Sequence, residues 1–309
     1  MRSNTMNTPI RAASIDELLG DASGRFFGSL YRGAQQQSSL SFQARDPQTW
    51  SVQGSAMVRY PADWGRRGQV QRLPHLSTID VVLFLAHIGS RFGELNRRSG
   101  SIAPTDIAAL THVVLRAGSA PIEALDNVPI LGILSVQNRA VHAEVKIGNM
   151  RTSADYAIIT NDWGESGRAS HRAGDTPVIT LTRVEVDAEA HTARCRIGLS
   201  GRVEAVPGDL RVVANIVACS QTAQALIAAV DGLSREDSDT LWMRKYEGWI
   251  NPPGQPGQAE ARVSVDQHRT MNVGDRVFSI FAGQACGYGV DSRFSLAHAI
   301  PHGPVARAA

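Results

Sequence analysis

The chain has 309 residues, 43% of them hydrophobic and 19% charged, which excludes a mostly disordered protein. Its 28 glycines and 14 prolines lie near the usual share and exclude a collagen-like or low-complexity chain. The 31 basic side chains nearly cancel the 29 acidic ones, leaving +2, so neither a nucleic-acid groove nor a polybasic membrane anchor is expected.

Cys195, Cys219 and Cys286 are odd in number and widely separated, which argues against a disulfide framework or a structural zinc site. Met1 to Leu19 holds Arg2 and Arg11 without a continuous apolar stretch, so no signal peptide is expected. Ile79 to Gly89 carries Asp80 and His87 and is too short to span a bilayer. These features predict a soluble, cytoplasmic globular protein.

In chain order, the first strand signal is Val52, Ala56, Val58 and Tyr60 alternating with polar neighbours, the period of a half-buried hairpin. Ile79 to Ala86 follows as a helix apolar nearly all round, which must be buried. Val141, Ala143, Val145 and Ile147 alternate with His142, Glu144 and Lys146 as a returning strand. Asn161 to Thr176 reads as a linker. A second alternation runs through Ala193, Cys195, Ile197 and Leu199, then a second apolar helix at Thr222 to Val230. Pro252 to Gly257 reads as a surface turn, and strands return at Ala261, Val263 and Val265 and from Arg276 to Ala282.

The two series repeat. A shift of 141 residues places Leu40 on Leu181, Asp46 on Asp187, Ala56 on Ile197, and Ser77 to Phe92 over Ala218 to Leu233. A hairpin, one buried helix and antiparallel return strands, occurring twice, predict an α+β double hotdog. Its units would be 25–160 and 177–301, joined by 161–176. Two unrelated α+β domains are the competing arrangement. Because two fused units supply a pseudo-dimer, a monomer is expected to suffice, with a further homodimer open.

The second half resembles the β-hydroxyacyl-thioester dehydratases of the hotdog superfamily through Val184 to Cys195, Pro207-Gly208, Ser220 to Leu226, Arg269, Gly274-Asp275 and Phe294 to His298. That resemblance implies a loop histidine and an acidic residue near the helix start. Leu199 to Gly208 has no histidine, and Ser220 or Gln221 stands at the acidic position, so the second half is expected to lack dehydratase chemistry.

The first half places Asp80 there instead. Arg25-Phe-Phe-Gly28 with Tyr31, Pro74-His-Leu-Ser-Thr-Ile-Asp80, and Leu115-Arg-Ala-Gly118 with Pro121 together resemble the avirulence-D family. The resemblance implies synthesis of an acylated lactone signal, butenolide- or syringolide-like, from a β-ketoacyl thioester and a small ketose; the alternatives are a hotdog dehydratase or thioesterase acting on acyl thioesters and a non-catalytic acyl-ligand binding protein. The A-factor synthase family is similar in having two hotdog-like halves and joins a β-ketoacyl chain to a triose phosphate. The implied partners are an acyl-carrier protein or coenzyme A thioester and a ketose or ketose phosphate, with no cofactor.

If Ser77 or Thr78 starts the helix, His75 precedes it and Asp80 lies in the first turn, both near N–H groups able to polarise a thioester carbonyl. His75 is then a candidate general base, Asp80 a carboxylate that orients it or holds the acceptor hydroxyl, and Ser77, Thr78, Ser220 and Gln221 candidate substrate contacts. The bland alternative makes Asp80 a complement to the helix dipole and His75 a loop cap. Arg116, in the apolar run Val113 to Gly118, is expected to be buried against an anion: Asp80, a substrate phosphate or carboxylate, or a structural partner. Cys219 reads as a small buried hydrophobe before a nucleophile. His298 and His302 have i, i+4 spacing, but Pro301 breaks a helix there, so no metal site is expected. The glycine-rich Gly283 to Gly289 lacks the strand-to-helix context of a nucleotide fingerprint.

Overall fold

The computed structural model describes residues 8–62, 64, 66, 67, 70, 71, 73–98, 106–160, 178–200, 208–233, 241–251, 260–274 and 276–300. The expected linker 161–176 and the turn at Pro252 to Gly257 lie outside the described residues.

The chain opens with β1 (Ile10–Ser14) and a short helix α1 (Asp16–Leu19). The first half then runs β2 (Gln35–Ala44), β3 (Thr49–Arg59), the two-residue pair β4 (Arg66–Arg67) and β5 (Val70–Gln71), and α2 (Thr78–Arg98). It closes with β6 (Asp106–Arg116), β7 (Val128–Gln137), β8 (Ala140–Ile147) and β9 (Met150–Thr160). The second half runs β10 (Val178–Asp187), β11 (Thr192–Ser200), α3 (Gly208–Asp231), β12 (Trp242–Ile250), β13 (Glu260–Val273), β14 (Arg276–Gly287) and β15 (Val290–Ile300).

Thirteen strands form one antiparallel sheet in the order β1-β10-β11-β13-β14-β15-β12-β6-β9-β8-β7-β3-β2. Outward from the centre, one half reads β12-β15-β14-β13-β11-β10 and the other β6-β9-β8-β7-β3-β2. These are the same succession of hairpin, first return strand and closing strands. The halves meet edge to edge where β12 pairs with β6, from Lys245 opposite Arg116 to Trp249 opposite His112. The α+β architecture is therefore as the sequence predicts. β1 departs from it: the strand lies outside the 25–160 unit and pairs with β10, Ile10 opposite Val186, on the far edge of the second half.

Alternation identifies the strands well. In β8, Val141, Ala143, Val145 and Ile147 are buried and the residues between them exposed. The helices differ in how they begin and end. Ser77 and Asp80 form a reciprocal capping box: Ser77 Oγ accepts from Asp80 N at 3.2 Å, and the Asp80 carboxylate accepts from Ser77 N at 2.9 Å. That fixes the start of α2 at Thr78.

The second helix extends well beyond the expected Thr222 to Val230. It starts at Gly208, twelve residues before Ser220, because Leu210, Val212, Val213, Ile216 and Val217 are buried against the sheet. β-Branched residues favour helix weakly, so tertiary burial decides the outcome here. At its end Gly232 adopts φ +64°, and Leu233 N donates to Ala228 O at 3.0 Å, closing the helix in a left-handed turn that favours glycine. By length and composition α3 could cross a membrane, but 83% of its most apolar window is buried inside the protein.

Candidate functional site

A cavity of about 620 Å³ opens where the two halves meet. Its walls come from seven places: Gly24 to Phe27, Trp64, His75 to Thr78 at the start of α2, the chain after β6, Asn149 and Met150 where β8 turns into β9, the middle of α3, and strands of the second half. His75 is joined there by four further expected site residues: Ser77, Thr78, Ser220 and Gln221. Phe26, Phe27, Ile122, Met243, Phe278, Ile280 and Leu296 supply apolar wall. Arg25, Arg244 and Arg276 line it too, and no carboxylate does among the described residues. Such a lining favours an amphiphilic ligand with an anionic or electron-rich end.

His75 is half-buried on the extended segment leading into α2. Its ring lies edge-on to Trp64 at 5.4 Å and tilted against Trp242 of β12 at 5.3 Å, so both halves hold it in place. Trp64 is 5% exposed, and its Nε1–H has no acceptor among the described residues. A buried donor left unpaired is costly, and such an atom in a cavity-lining residue calls for an explanation. Thr78, the first helical residue, contributes a first-turn N–H without an intrahelical acceptor.

Asp80 is not in the cavity wall. Fully buried, it accepts from Gln36 Nε2 at 2.7 Å, Ser77 N at 2.9 Å, Ser77 Oγ at 2.7 Å and the Tyr60 hydroxyl. The expectation that Asp80 holds the acceptor hydroxyl is thereby corrected, since its carboxylate lies outside the cavity lining and bonds to Gln36, Ser77 and Tyr60. A short acid three residues after serine is held inward by the helix start it caps. Tyr60 Oη also lies 3.1 Å from the His75 carbonyl, which links the cap to the histidine's backbone. Burial first, and then the Asp80 charge, push the Tyr60 hydroxyl well above its ordinary pKa, so it remains a donor.

Arg116 is also corrected: it is exposed on the outer face of the sheet and outside the cavity lining. Strand parity gives the reason, since Val113 and Leu115 point inward and Arg116 therefore points out.

The buried arginine of the site is Arg25, 3% exposed. Its Nη1 donates to Gln221 Oε1 of α3 at 2.5 Å, Nε donates to Asp21 O at 3.3 Å, and Nη2 pairs with Asp16. Burial lowers its pKa, and the Asp16 and Asp21 charges oppose that shift. Gln221 also donates from Nε2 to Val217 O at 3.4 Å, so its amide ties the N-terminal segment to α3. Gly28 permits the tight turn behind Arg25, because a Cβ there would lie 2.2 Å from the Ala22 carbonyl oxygen.

Cys219 is buried, and burial pushes its thiol well above the ordinary value, as suits a core residue. His298 is 2% exposed in β15 and bonds through Nε2 to Asp231 at 2.7 Å, while Pro301 and His302 lie outside the described residues. Among the described residues no group of three or more His, Cys, Asp or Glu side chains could hold a metal ion. Gly283 to Gly289 forms the end of β14 and its turn into β15.

Sequence reasoning locates the start of α2 but misses Trp64, Trp242 and the buried role of Arg25. Arg25 is visible in the sequence only as part of a family-like motif, since its partners lie 9 and 196 residues away.

No curated protein matches the sequence. Similar solved structures include the dehydratase domain of PpsC from Mycobacterium tuberculosis, 9% identical, covering 85% of this chain and 97% of that one with a TM-score of 0.40. The acyl-CoA thioesterase II TesB2 from Mycobacterium marinum is 10% identical, covers 85% and 96%, and has a TM-score of 0.38. A pyran synthase domain of the sorangicin pathway is 10% identical, covers 85% and 97%, and has a TM-score of 0.34. The profile of the family described as Pseudomonas avirulence D protein matches residues 11–167 and 182–301, taking in every residue of the cavity wall. The chain is a member of the AvrD family.

Proposed function

We propose that this protein is an enzyme condensing a β-ketoacyl thioester with the hydroxyl of a small ketose, and that its two similar halves are tandem hotdog units. The observation that carries the reading is the cavity lining. It joins a long apolar wall to His75, the unpaired Trp64 N–H and three arginines, with no carboxylate among the described residues. Family membership supports the same reading, since the resemblance implies acylated lactone products.

In this reading the acyl chain lies along Phe278, Ile280 and Leu296, and Arg244 and Arg276 hold the phosphate or polar end of a substrate. His75 takes the proton from the acceptor hydroxyl as its oxygen attacks the thioester carbon. The Thr78 N–H and the Trp64 Nε1–H serve the carbonyl oxygen as it gains charge. The new C–O bond forms, the C–S bond breaks, and the departing thiolate takes the proton from the His75 imidazolium. Asp80 acts at a distance by holding the helix start. One chain contains both halves of the site, so a monomer of 33.2 kDa is sufficient.

The test is incubation of purified protein with β-ketoacyl thioesters and a ketose panel, followed by mass spectrometry for free thiol and ester. Ester that appears only when acceptor is present supports condensation. Thiol release at the same rate without acceptor would replace it with a thioesterase, and release of water from a β-hydroxyacyl thioester with a dehydratase.

A further inference from the structure

The register of the central strands lines up four cations. Lys146 of β8 stands opposite Arg151 of β9, Arg151 opposite Arg116 of β6, and Arg116 opposite Lys245 of β12. At about 4.8 Å between strands the row is about 14 Å long. Directly opposed like charges destabilise a sheet, so the row calls for an external reason. Lys146, Arg151 and Arg116 are exposed and make no ion pair with a described residue, whereas Lys245 pairs with Glu247 at 2.7 Å.

The position of the row gives that reason. The chain neighbour of each of three members lines the cavity: Ala117 after Arg116, Met150 before Arg151, and Arg244 before Lys245. The row thus runs along the outer face just below the cavity rim.

We propose that this row docks the acidic face of a partner protein that delivers the acyl chain on a tether. The proposal rests on the acyl-thioester reading above and selects a carrier protein over free coenzyme A. A single-sign line on the outward face of a sheet matches a protein surface, and the phosphates of a small molecule would instead meet the arginines of the cavity lining. Electrostatic complementarity of this kind sets encounter rate and partner choice.

The test titrates the intact protein with an acidic acyl-carrier protein bearing phosphopantetheine and no acyl chain, so binding is read without turnover. Saturable binding that weakens at least tenfold from 50 to 300 mM salt is expected, by screening (roughly 14 Å falling to 6 Å of Debye length). Lys146→Glu/Arg151→Glu should lose a further tenfold or more, and Lys146→Arg/Arg151→Lys should restore it. In turnover, the double charge reversal should lower kcat/KM for the carrier-bound chain and leave the same chain on pantetheine unchanged. Wild-type and charge-reversed protein binding the carrier equally, or both failing to bind it, would overturn the proposal. So would an equal loss of affinity for free coenzyme A, which would make the row a nucleotide-phosphate site. Absence of turnover with every thioester, alongside charge-dependent carrier binding, would overturn the condensation reading and leave the docking surface standing.

Discussion

The two central helices occupy matching places in the two halves, yet they meet the cavity differently. The first offers its beginning: a capped N-terminus, a histidine just ahead of it and a first-turn N–H with no intrahelical acceptor. The second offers its middle, where Ser220, Gln221 and Gln224 interrupt a helix buried on nearly all sides. One topology thus yields two kinds of wall, according to where the helix starts relative to the sheet. In the reading proposed above, chemistry is concentrated at the N-terminal end of α2, and shape and anchoring come from α3.

The largest effect that would break this division is expected at His75. His75→Gln should lower turnover about 100-fold or more, the usual loss for a general base, with circular dichroism and melting unchanged. Asp80→Ala comes next and should act on stability. Removing an acceptor for Tyr60, Ser77 and Gln36 at a helix start is expected to cost about 3 kcal/mol, read by urea denaturation. Asp80→Asn should lose less, and an Asp80→Asn protein that melts normally but is inactive would return Asp80 to the chemistry. Trp64→Phe keeps an aromatic ring beside His75 and removes the unpaired N–H. A several-fold loss of kcat/KM with stability equal to or above wild type would sharpen the assignment of that donor to substrate.

The smallest effect concerns pH. His87 of α2 sits against Ser38 Oγ at 2.6 Å, and burial holds its pKa below the ordinary 6.5, with Arg91 lowering it further and Glu94 opposing. A histidine kept neutral in the fold binds its proton more readily when unfolded, so stability is full above pH 6.5 and declines as pH falls towards the folded value. Denaturation midpoints at about pH 7.5 and about pH 5.5 should therefore converge in His87→Gln relative to wild type.

Much of this is legible in the amino-acid order alone. The strands are, because burial on one face of a sheet leaves a period of two in Val141, Ala143, Val145 and Ile147. So is the place of His75, Ser77 and Thr78, because a cap announces itself within four residues. The Ser-x-x-Asp spacing also carries the capping role of Asp80, and parity with Leu115 the outward face of Arg116, two signals that the expectations above set aside in favour of a place in the site. Arg25, Trp64 and Trp242 are not legible, because their meeting with Gln221 and His75 depends on tertiary contacts distant in sequence. The early start of α3 is hidden by its β-branched residues, whose local preference is opposed by their burial.

The edge strand β1 has a consequence for biosynthesis. Ile10 finds its partner at Val186, and Arg25 finds its own at Gln221. At roughly 10 residues per second, β1 leaves the ribosome on the order of 18 s before β10 exists to receive it. Through that interval the first half can assemble its strands, but its cavity lacks the α3 wall, and β1 and Arg25 lack their partners β10 and Gln221. Completion of the site is then a late event in translation, governed by the arrival of the second half.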